Sequence, residues 1–438
     1  MNSNQPCCPA NSHGPLAAAA ATPIAIFSTN STDNEYKEHM RNSIKSVTSL
    51  FTEGLPNNNN KNKKKSSNIG TIVTIPSTSN HASMDMYVTS GQRRQLLQEL
   101  DPSAVESSSS SSSSVSSLFE YNNNVKRIIV VFSDVCGYSS GRHFQFADDL
   151  AKDLNNSSKN RNNDDSENDD TTSTTTTIVV VPDLFRGDPP MKPLSLWPFS
   201  FLSSSSLGGT LSYTRMIYKC KFVFNEKYVV STTNNFIIPY LLNQTNKTKN
   251  VVSFSSVGFC FGTWVVAKTA AAAAAAAVMK EDNDEDEEKK QQQQLWKCGV
   301  GMHPAFTLEQ IHGGSEISLA KQIPGSFPYL LMPAGNDSDA IKIAINIDVD
   351  VGEGGVDGGV DGGGGGGGGG KETNDVNCVQ IMAKARNVSQ QEVSMEFPTM
   401  KHGWMTRGDP LADEDIHKAQ ILALQKCVEF LEKHHPVV

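Results

Sequence analysis

The chain has 438 residues, a net charge of −9 and 8 cysteines. The negative charge excludes a broadly basic nucleic-acid surface. The cysteines form no C-x-x-C pair and are too sparse for a small secreted scaffold, so we expect a reducing, cytoplasmic location. No run of about 18 apolar residues lacks a charge, and no membrane span is predicted.

Low-complexity segments interrupt the chain repeatedly. They lie near residues 28–67, 92–124, 155–176, 280–294 and 346–373 and are rich in Asn, Ser, Thr, Gln, Gly or acidic residues. Such compositions bury too little apolar surface to offset the entropy of ordering. We therefore expect one domain over residues 1–438 that carries disordered insertions at these places.

Between the insertions, apolar runs alternate with helical patterns. Strands are predicted at 71–75, 84–89, 126–132, 177–185, 251–257, 298–304, 328–334 and 392–398, the first two as a hairpin at one edge. Helices are predicted at 141–154, from about 263 to 279, and at 410–435. Continuous apolar strands separated by helices indicate an α/β fold with a mostly parallel sheet covered on both faces.

One strand-to-helix junction carries an unusual cysteine. The sequence VGFCFGTWVV at 257–266 places Cys260 between Gly258 and Gly262. A sharp turn from a strand into a helix strains its central residue, and glycines two positions away avoid the resulting collisions. This is the geometry of a nucleophile elbow with a thiol, exposed at a helix N-terminus where a thiolate is favoured. A small buried hydrophobe beside packing glycines would give the same pattern.

Two later predicted strands end in residues that could assist a nucleophile. Gly335-Asn336-Asp337-Ser338-Asp339 follows one strand, and Lys401-His402-Gly403 follows the next. In parallel sheets, chemistry lies at the carboxyl ends of the strands. The order Cys, Asp, His along the chain is that of nucleophile, acid and base in α/β hydrolases. We expect Asp337 to be the acid, with Asp339 as the alternative.

These motifs together resemble the dienelactone hydrolase family of α/β hydrolases. The resemblance rests on VVFSDVCGYSSGRHFQFADDLA (130–151), VVVPDLFRGD (179–188), GFCFGTWVV (258–266), MHPAF (302–306), PAGNDSD (333–339) and KHGWMTRGD (401–409). The opening CCPANSHGP (7–15) is similar to the N-terminus of eukaryotic members. The resemblance implies an α/β-hydrolase fold and a cysteine-dependent hydrolase acting on a small-molecule lactone or activated ester.

The resemblance also implies a role for each site residue. Cys260 would attack the acyl carbon, His402 would be the base and an aspartate would orient it. Backbone N–H groups of Phe261 and Val135 would bind the oxyanion.

Four further residues enter through the same resemblance or through their position. Asp134 matches a family carboxylate near the thiol that is usually glutamate. Arg186 and Arg407 are candidates for binding a substrate carboxylate, since guanidinium binds carboxylates bidentately. His303 follows a strand and is expected to cap the sheet end rather than to take part in the chemistry.

No cofactor or metal is expected, because neither acidic tract has the ligand spacing of a calcium loop. Two other functions stay open at this point. One is a non-enzymatic α/β-hydrolase shell used for binding or scaffolding. The other is thiol redox sensing through Cys260, for which the sequence identifies no resolving cysteine.

Overall fold

The computed structural model describes residues 70–91, 125–163, 176–191, 206–246, 252–278, 295–343 and 377–437. The insertions predicted near 28–67, 92–124, 280–294 and 346–373 lie outside these residues, as does the N-terminal motif at 7–15.

Seven strands form one sheet in the described part of the chain. They are β1 (Thr71–Ile75), β2 (Met84–Thr89), β3 (Val125–Phe132), β4 (Thr176–Pro182), β5 (Ser253–Phe259), β6 (Trp296–Met302) and β7 (Tyr329–Met332). Their order is β1-β2-β4-β3-β5-β6-β7. The β1–β2 hairpin joins β4 in antiparallel fashion, and β4, β3, β5, β6 and β7 are parallel. This mixed, mostly parallel sheet confirms the predicted α/β class.

The strand predicted at 392–398 is wrong as a strand. This segment runs beside β7 and makes only two isolated parallel bridges, Leu331 with Ser394 and Ala334 with Phe397. It begins in a 3-10 turn, Gln390–Glu392. The proline at 333, which follows β7, has no N–H to donate, so a regular ladder cannot continue along this edge.

Helices cover both faces of the sheet. Those of the described chain are α1 (His143–Asn163), α2 (Ser206–Tyr218), α3 (Glu226–Thr232), α4 (Ile238–Asn246), α5 (Phe261–Val278), α6 (Leu308–Ile311), α7 (Glu316–Gln322), α8 (Cys378–Arg386), α9 (Trp404–Arg407) and α10 (Glu414–His434). Two π-helical turns, Lys219–Val223 and Thr233–Ile237, interrupt the α2–α4 region.

Helix α1 extends into the segment 155–176 that composition predicts to be an insertion. The reason is a buried anchor at its middle. Leu154 is fully buried, and the Asn155 side chain exchanges hydrogen bonds of 2.7 and 3.0 Å with the backbone of Thr177 in β4. These contacts fix the helix against the sheet before the polar residues begin.

Side chains of β3 alternate between two apolar layers. Ile128, Val130 and Phe132 pack in the layer that includes α5, whereas Ile129 and Val131 pack in the layer formed with α1 and α10. Alternation of this kind places every strand between two covered faces. The carboxyl ends of β5, β6 and β7 therefore share one edge, where Cys260, His303 and Asp337 follow their strands.

Candidate active site

Cys260 lies at the sharp turn between β5 and α5. Its φ of +50° falls in the left-handed region, which a side chain with a Cβ adopts only at a cost. A Cβ on Gly258 would lie 2.4 Å from the Gly262 carbonyl carbon, and one on Gly262 would lie 2.1 Å from the Phe132 carbonyl oxygen. Both glycines are therefore required for the turn to approach β3 and α5 so closely.

The elbow thiol is less accessible than the sequence predicts. Cys260 is 7% exposed, and its N–H donates to the Met302 carbonyl at 3.1 Å. The next residue, Phe261, is fully buried, and its ring contacts that of Phe185 at a centroid distance of 5.3 Å. The thiol thus sits at the bottom of a largely covered site.

His402 contacts Asp337 directly. Its Nδ1 lies 2.6 Å from Asp337 Oδ1, and the other Asp337 oxygen accepts a 2.7 Å hydrogen bond from the Ala334 N–H. The His402 N–H donates to the Asn336 side chain at 2.6 Å, so the GND turn also fixes the histidine backbone. Hydrogen bonds of backbone N–H groups therefore fix both Asp337 and His402.

Asp339, the alternative acid, points elsewhere. Its side chain is 97% exposed and pairs with Lys342 at 2.8 Å. The N-cap of the short 3-10 turn Asp339–Ile341 is Ser338 rather than Asp339. Asp337 is therefore the carboxylate that contacts His402.

The electrostatics of His402 favour its charged form. Burial works against protonation of His402. The charges of Asp337 and Cys260, together with polar interactions with both side chains, favour protonation more strongly. Together they raise the pKa of His402 to about 10. Both the predicted acid and the predicted nucleophile of this site thus act on His402.

The predicted oxyanion donors lie at the start of α5 and in the turn after β3. Phe261 is the first residue of α5, and the first N–H groups of a helix have no acceptor within the helix. Val135 lies in the turn after β3 and is 5% exposed; its carbonyl accepts from the Met191 N–H at 3.0 Å. Their assignment as oxyanion donors stays a prediction.

Asp134 is fully buried and is held by a network of donors. Arg407, Thr406 and the Cys136 N–H all donate to its carboxylate. Burial would raise its pKa, but Arg407, His143 and the Cys136 N–H lower it far below the usual range. The Arg407 side chain is only 5% exposed. The structure therefore commits this predicted substrate-binding arginine to Asp134.

Arg186 lies in a different position. It adopts a φ of +50°, and its guanidinium carbon lies 5.7 Å from the centre of the Tyr228 ring. Its Nε and one terminal nitrogen are buried without a hydrogen-bond partner among the described residues. It lines a cavity of about 270 Å³ with residues of the β1–β2 turn and α3, namely Asn80, His81, Asn225, Lys227, Tyr228 and Ser231.

Three buried side chains near the site escaped the sequence analysis or were given no role. His143 binds the Ser140 carbonyl through Nδ1 and accepts from the Asp134 N–H at Nε2, which corresponds to a neutral ring. His303 is fully buried beside His402. Cys220 lies in the first π-helical turn; burial raises the pKa of its thiol, and the charge of Cys260 adds to the rise. No sequence signal marks Cys220, because the π-helical turn that holds it, a feature common at functional sites, is visible only in the structure.

The described ranges contain neither a metal-binding cluster nor a membrane-spanning helix. Within them, His, Cys, Asp and Glu side chains form no cluster of three or more suited to a metal ion. Among the same residues, no helix combines the length and apolar character needed to cross a membrane.

No protein-family model and no curated protein matches the chain. Solved structures that resemble it include a dienelactone hydrolase from Anabaena variabilis, with 9% identity and a TM-score of 0.36 over 83% of this chain and 97% of that one. A lipase/esterase from Lactobacillus plantarum has 9% identity and a TM-score of 0.36 over 84% and 99%. An esterase from Pyrobaculum calidifontis has 10% identity and a TM-score of 0.33 over 96% and 100%. At these values the matches carry no argument about activity.

Proposed function

We propose that this protein is a cysteine-dependent hydrolase of the dienelactone-hydrolase type, acting on lactones or activated carboxylic esters. One observation carries the proposal. Cys260 occupies a strained elbow, with φ of +50°, and interacts electrostatically with His402, whose Nδ1 lies 2.6 Å from Oδ1 of the buried Asp337. Strain and a shifted pKa at one buried spot are typical of catalytic centres.

In the proposed acylation step, the Cys260 thiolate attacks the acyl carbon of the ester. The negative charge that develops on the carbonyl oxygen is bound by the N–H groups of Phe261 and Val135. As the C–O bond breaks, the His402 imidazolium transfers its proton to the leaving alkoxide, and a thioester remains on Cys260.

In the proposed deacylation step, neutral His402 removes a proton from water, and the resulting hydroxide attacks the thioester. The carboxylic acid leaves, and the thiolate of Cys260 forms again beside the protonated His402. Asp337 fixes the His402 tautomer in both steps and stabilises the imidazolium.

The substrate we infer carries a carboxylate besides its ester. Two buried guanidinium nitrogens of Arg186 have no partner among the described residues, and Lys227 and His81 line the same cavity. A planar guanidinium pairs well with a carboxylate, and a buried donor without a partner costs stability until an acceptor binds. These observations favour an anionic lactone or ester over a neutral one.

Thiol redox sensing is the second candidate function, favoured by the position of Cys220. Burial and then the charge of Cys260 raise the pKa of the Cys220 thiol, and we propose Cys220 as the partner that the sequence does not identify. Oxidation of Cys260 by a hydroperoxide to a sulfenic acid, followed by attack of Cys220, would release water and form a disulfide. A binding or scaffold role, by contrast, would not need the contact between Cys260 and His402.

Turnover of aryl esters and of carboxylate-bearing lactones by the purified protein tests the proposal. We expect hydrolysis by the native chain, none by Cys260→Ala, and native rates for Cys378→Ala, a matched change at a buried thiol in α8. Native turnover in Cys260→Ala would contradict the mechanism. No turnover of any ester, together with a Cys220–Cys260 disulfide after hydroperoxide treatment, would favour redox sensing.

A further inference from the structure

His303 lies directly after β6, beside Cys260 at the carboxyl edge of the sheet. The Cys260 N–H donates to the carbonyl of Met302, the residue before His303. The His303 N–H donates to the Met332 carbonyl at the end of β7. Its backbone is therefore fixed between the strand that carries the thiol and the strand that leads to Asp337.

The His303 ring packs against the His402 ring. Its centroid lies 4.9 Å from that of His402, with the two planes at 71°, an edge-to-face arrangement. On another side it contacts the Phe259 ring at 5.9 Å and 40°. His303 is fully buried, so it meets neither solvent nor a substrate above the thiol.

Two features of His303 work against folding. Neither ring nitrogen has a hydrogen-bond partner among the described residues, although both are buried. Its φ of +36° is positive, as is that of neighbouring Cys260. A buried polar group without a partner and a strained backbone both lower stability, and such outliers concentrate at functional sites.

The charges around His303 keep its ring neutral. It faces His402, Arg407, His143 and Asp134; burial and then the positive charges of His402 and Arg407 hold its pKa well below the ordinary value. His402 meanwhile keeps its proton, with a pKa of about 10. A neutral aromatic ring thus lies within the distance at which the face of a ring stabilises a cation.

We propose that His303 is a positioning residue, whose neutral ring holds the His402 imidazolium in line with Asp337 and Cys260. This inference rests on the proposed hydrolase function. An apolar side chain of similar volume would fill the space without stabilising the cation. The aromatic contact is therefore the property to test.

The test compares His303→Phe, which keeps an aromatic ring, with His303→Leu, which keeps the bulk alone. His312→Leu is the control, because His312 also has a buried nitrogen without a partner but stacks on Trp264, outside the site. The titration of His402 is followed by NMR with labelled histidine, and kcat, KM and urea unfolding are measured on each protein.

We expect His303→Leu to lower the pKa of His402 by about half a unit to one unit. Its kcat should fall about tenfold with little change in KM. His303→Phe should keep the native titration and a kcat within about threefold. Both variants should be at least as stable as the native chain, because each removes unsatisfied ring nitrogens. His312→Leu should leave the titration unchanged.

An unchanged titration of His402 in His303→Leu would overturn the inference. An equal fall of its pKa in His303→Phe would do the same, because the aromatic contact is kept there. If His303→Leu fails to fold, His303→Met takes its place as the variant that keeps the bulk without an aromatic ring. Because the titration needs no turnover, a protein without esterase activity would refute the proposed function while this readout still tested His303.

Discussion

Arg407 donates two hydrogen bonds to one carboxylate oxygen of Asp134, from Nε at 3.1 Å and from a terminal nitrogen at 2.8 Å. The two residues are 273 positions apart in the chain. Their pairing joins the turn after β3 to helix α9, which follows the loop of His402. The pair therefore stabilises the two segments that adjoin the site, namely the turn after β3 and helix α9.

Replacing Arg407 by Met should destabilise the protein by about 3 kcal/mol, because it leaves the buried charge of Asp134 without its main partner. The measurement is urea unfolding of the native chain, Arg407→Met and the double variant Asp134→Leu/Arg407→Met. We expect the double variant to recover much of the loss. Equal stability of the native chain and Arg407→Met would show that the pair contributes nothing.

Replacing Arg186 by Met should raise KM for carboxylate-bearing esters by about tenfold or more and leave KM for neutral esters unchanged. The reason is loss of a guanidinium that has no other partner for two of its buried nitrogens. Paired kinetics on a carboxylate ester and its methyl-ester analogue check this. A uniform rise in KM for both substrates would contradict a carboxylate site at Arg186.

Asp337→Asn should lower kcat by several orders of magnitude, because the amide holds the wrong tautomer of His402. Asp339→Asn is the matched control, and its 97% exposed side chain predicts native kinetics and stability. Steady-state kinetics on an aryl ester separate the two. Loss of activity in Asp339→Asn alone would move the orienting role to that residue.

The raised pKa of His402 predicts how stability changes with pH. Its folded pKa, about 10, exceeds the ordinary value of 6.5, so its contribution is complete below pH 6.5 and is lost as the pH rises through about 10. Thermal unfolding of the native chain should therefore show a larger fall in Tm between about pH 7 and about pH 10.5 than Asp337→Asn shows. Parallel curves for the two proteins would contradict the assignment.

The elements that local pattern determines were predictable. Apolar runs of strand length gave the parallel strands, and the glycine spacing around Cys260 gave the elbow. The segment 392–398 was wrongly predicted to be a strand. Its alternation fits a strand ladder, but the proline at 333 in the neighbouring chain segment prevents one. Whether a strand is completed depends on its neighbour, which a local pattern does not contain.

Contacts between distant parts of the chain were not predictable. The Asp134–Arg407 pair and the His303–His402 contact join residues far apart in sequence, and no spacing rule connects them. The low exposure of Cys260 is likewise not contained in the glycine spacing that predicts the elbow. The site residues could be identified from the sequence, but which of them contact each other is visible only in the folded structure.

The most direct test of the account is mass spectrometry of the protein quenched during turnover of an activated aryl ester. We predict an acyl group on Cys260, held as a thioester, in the native chain. Turnover with the acyl group on another residue, or without any acyl group on Cys260, would contradict the proposed mechanism.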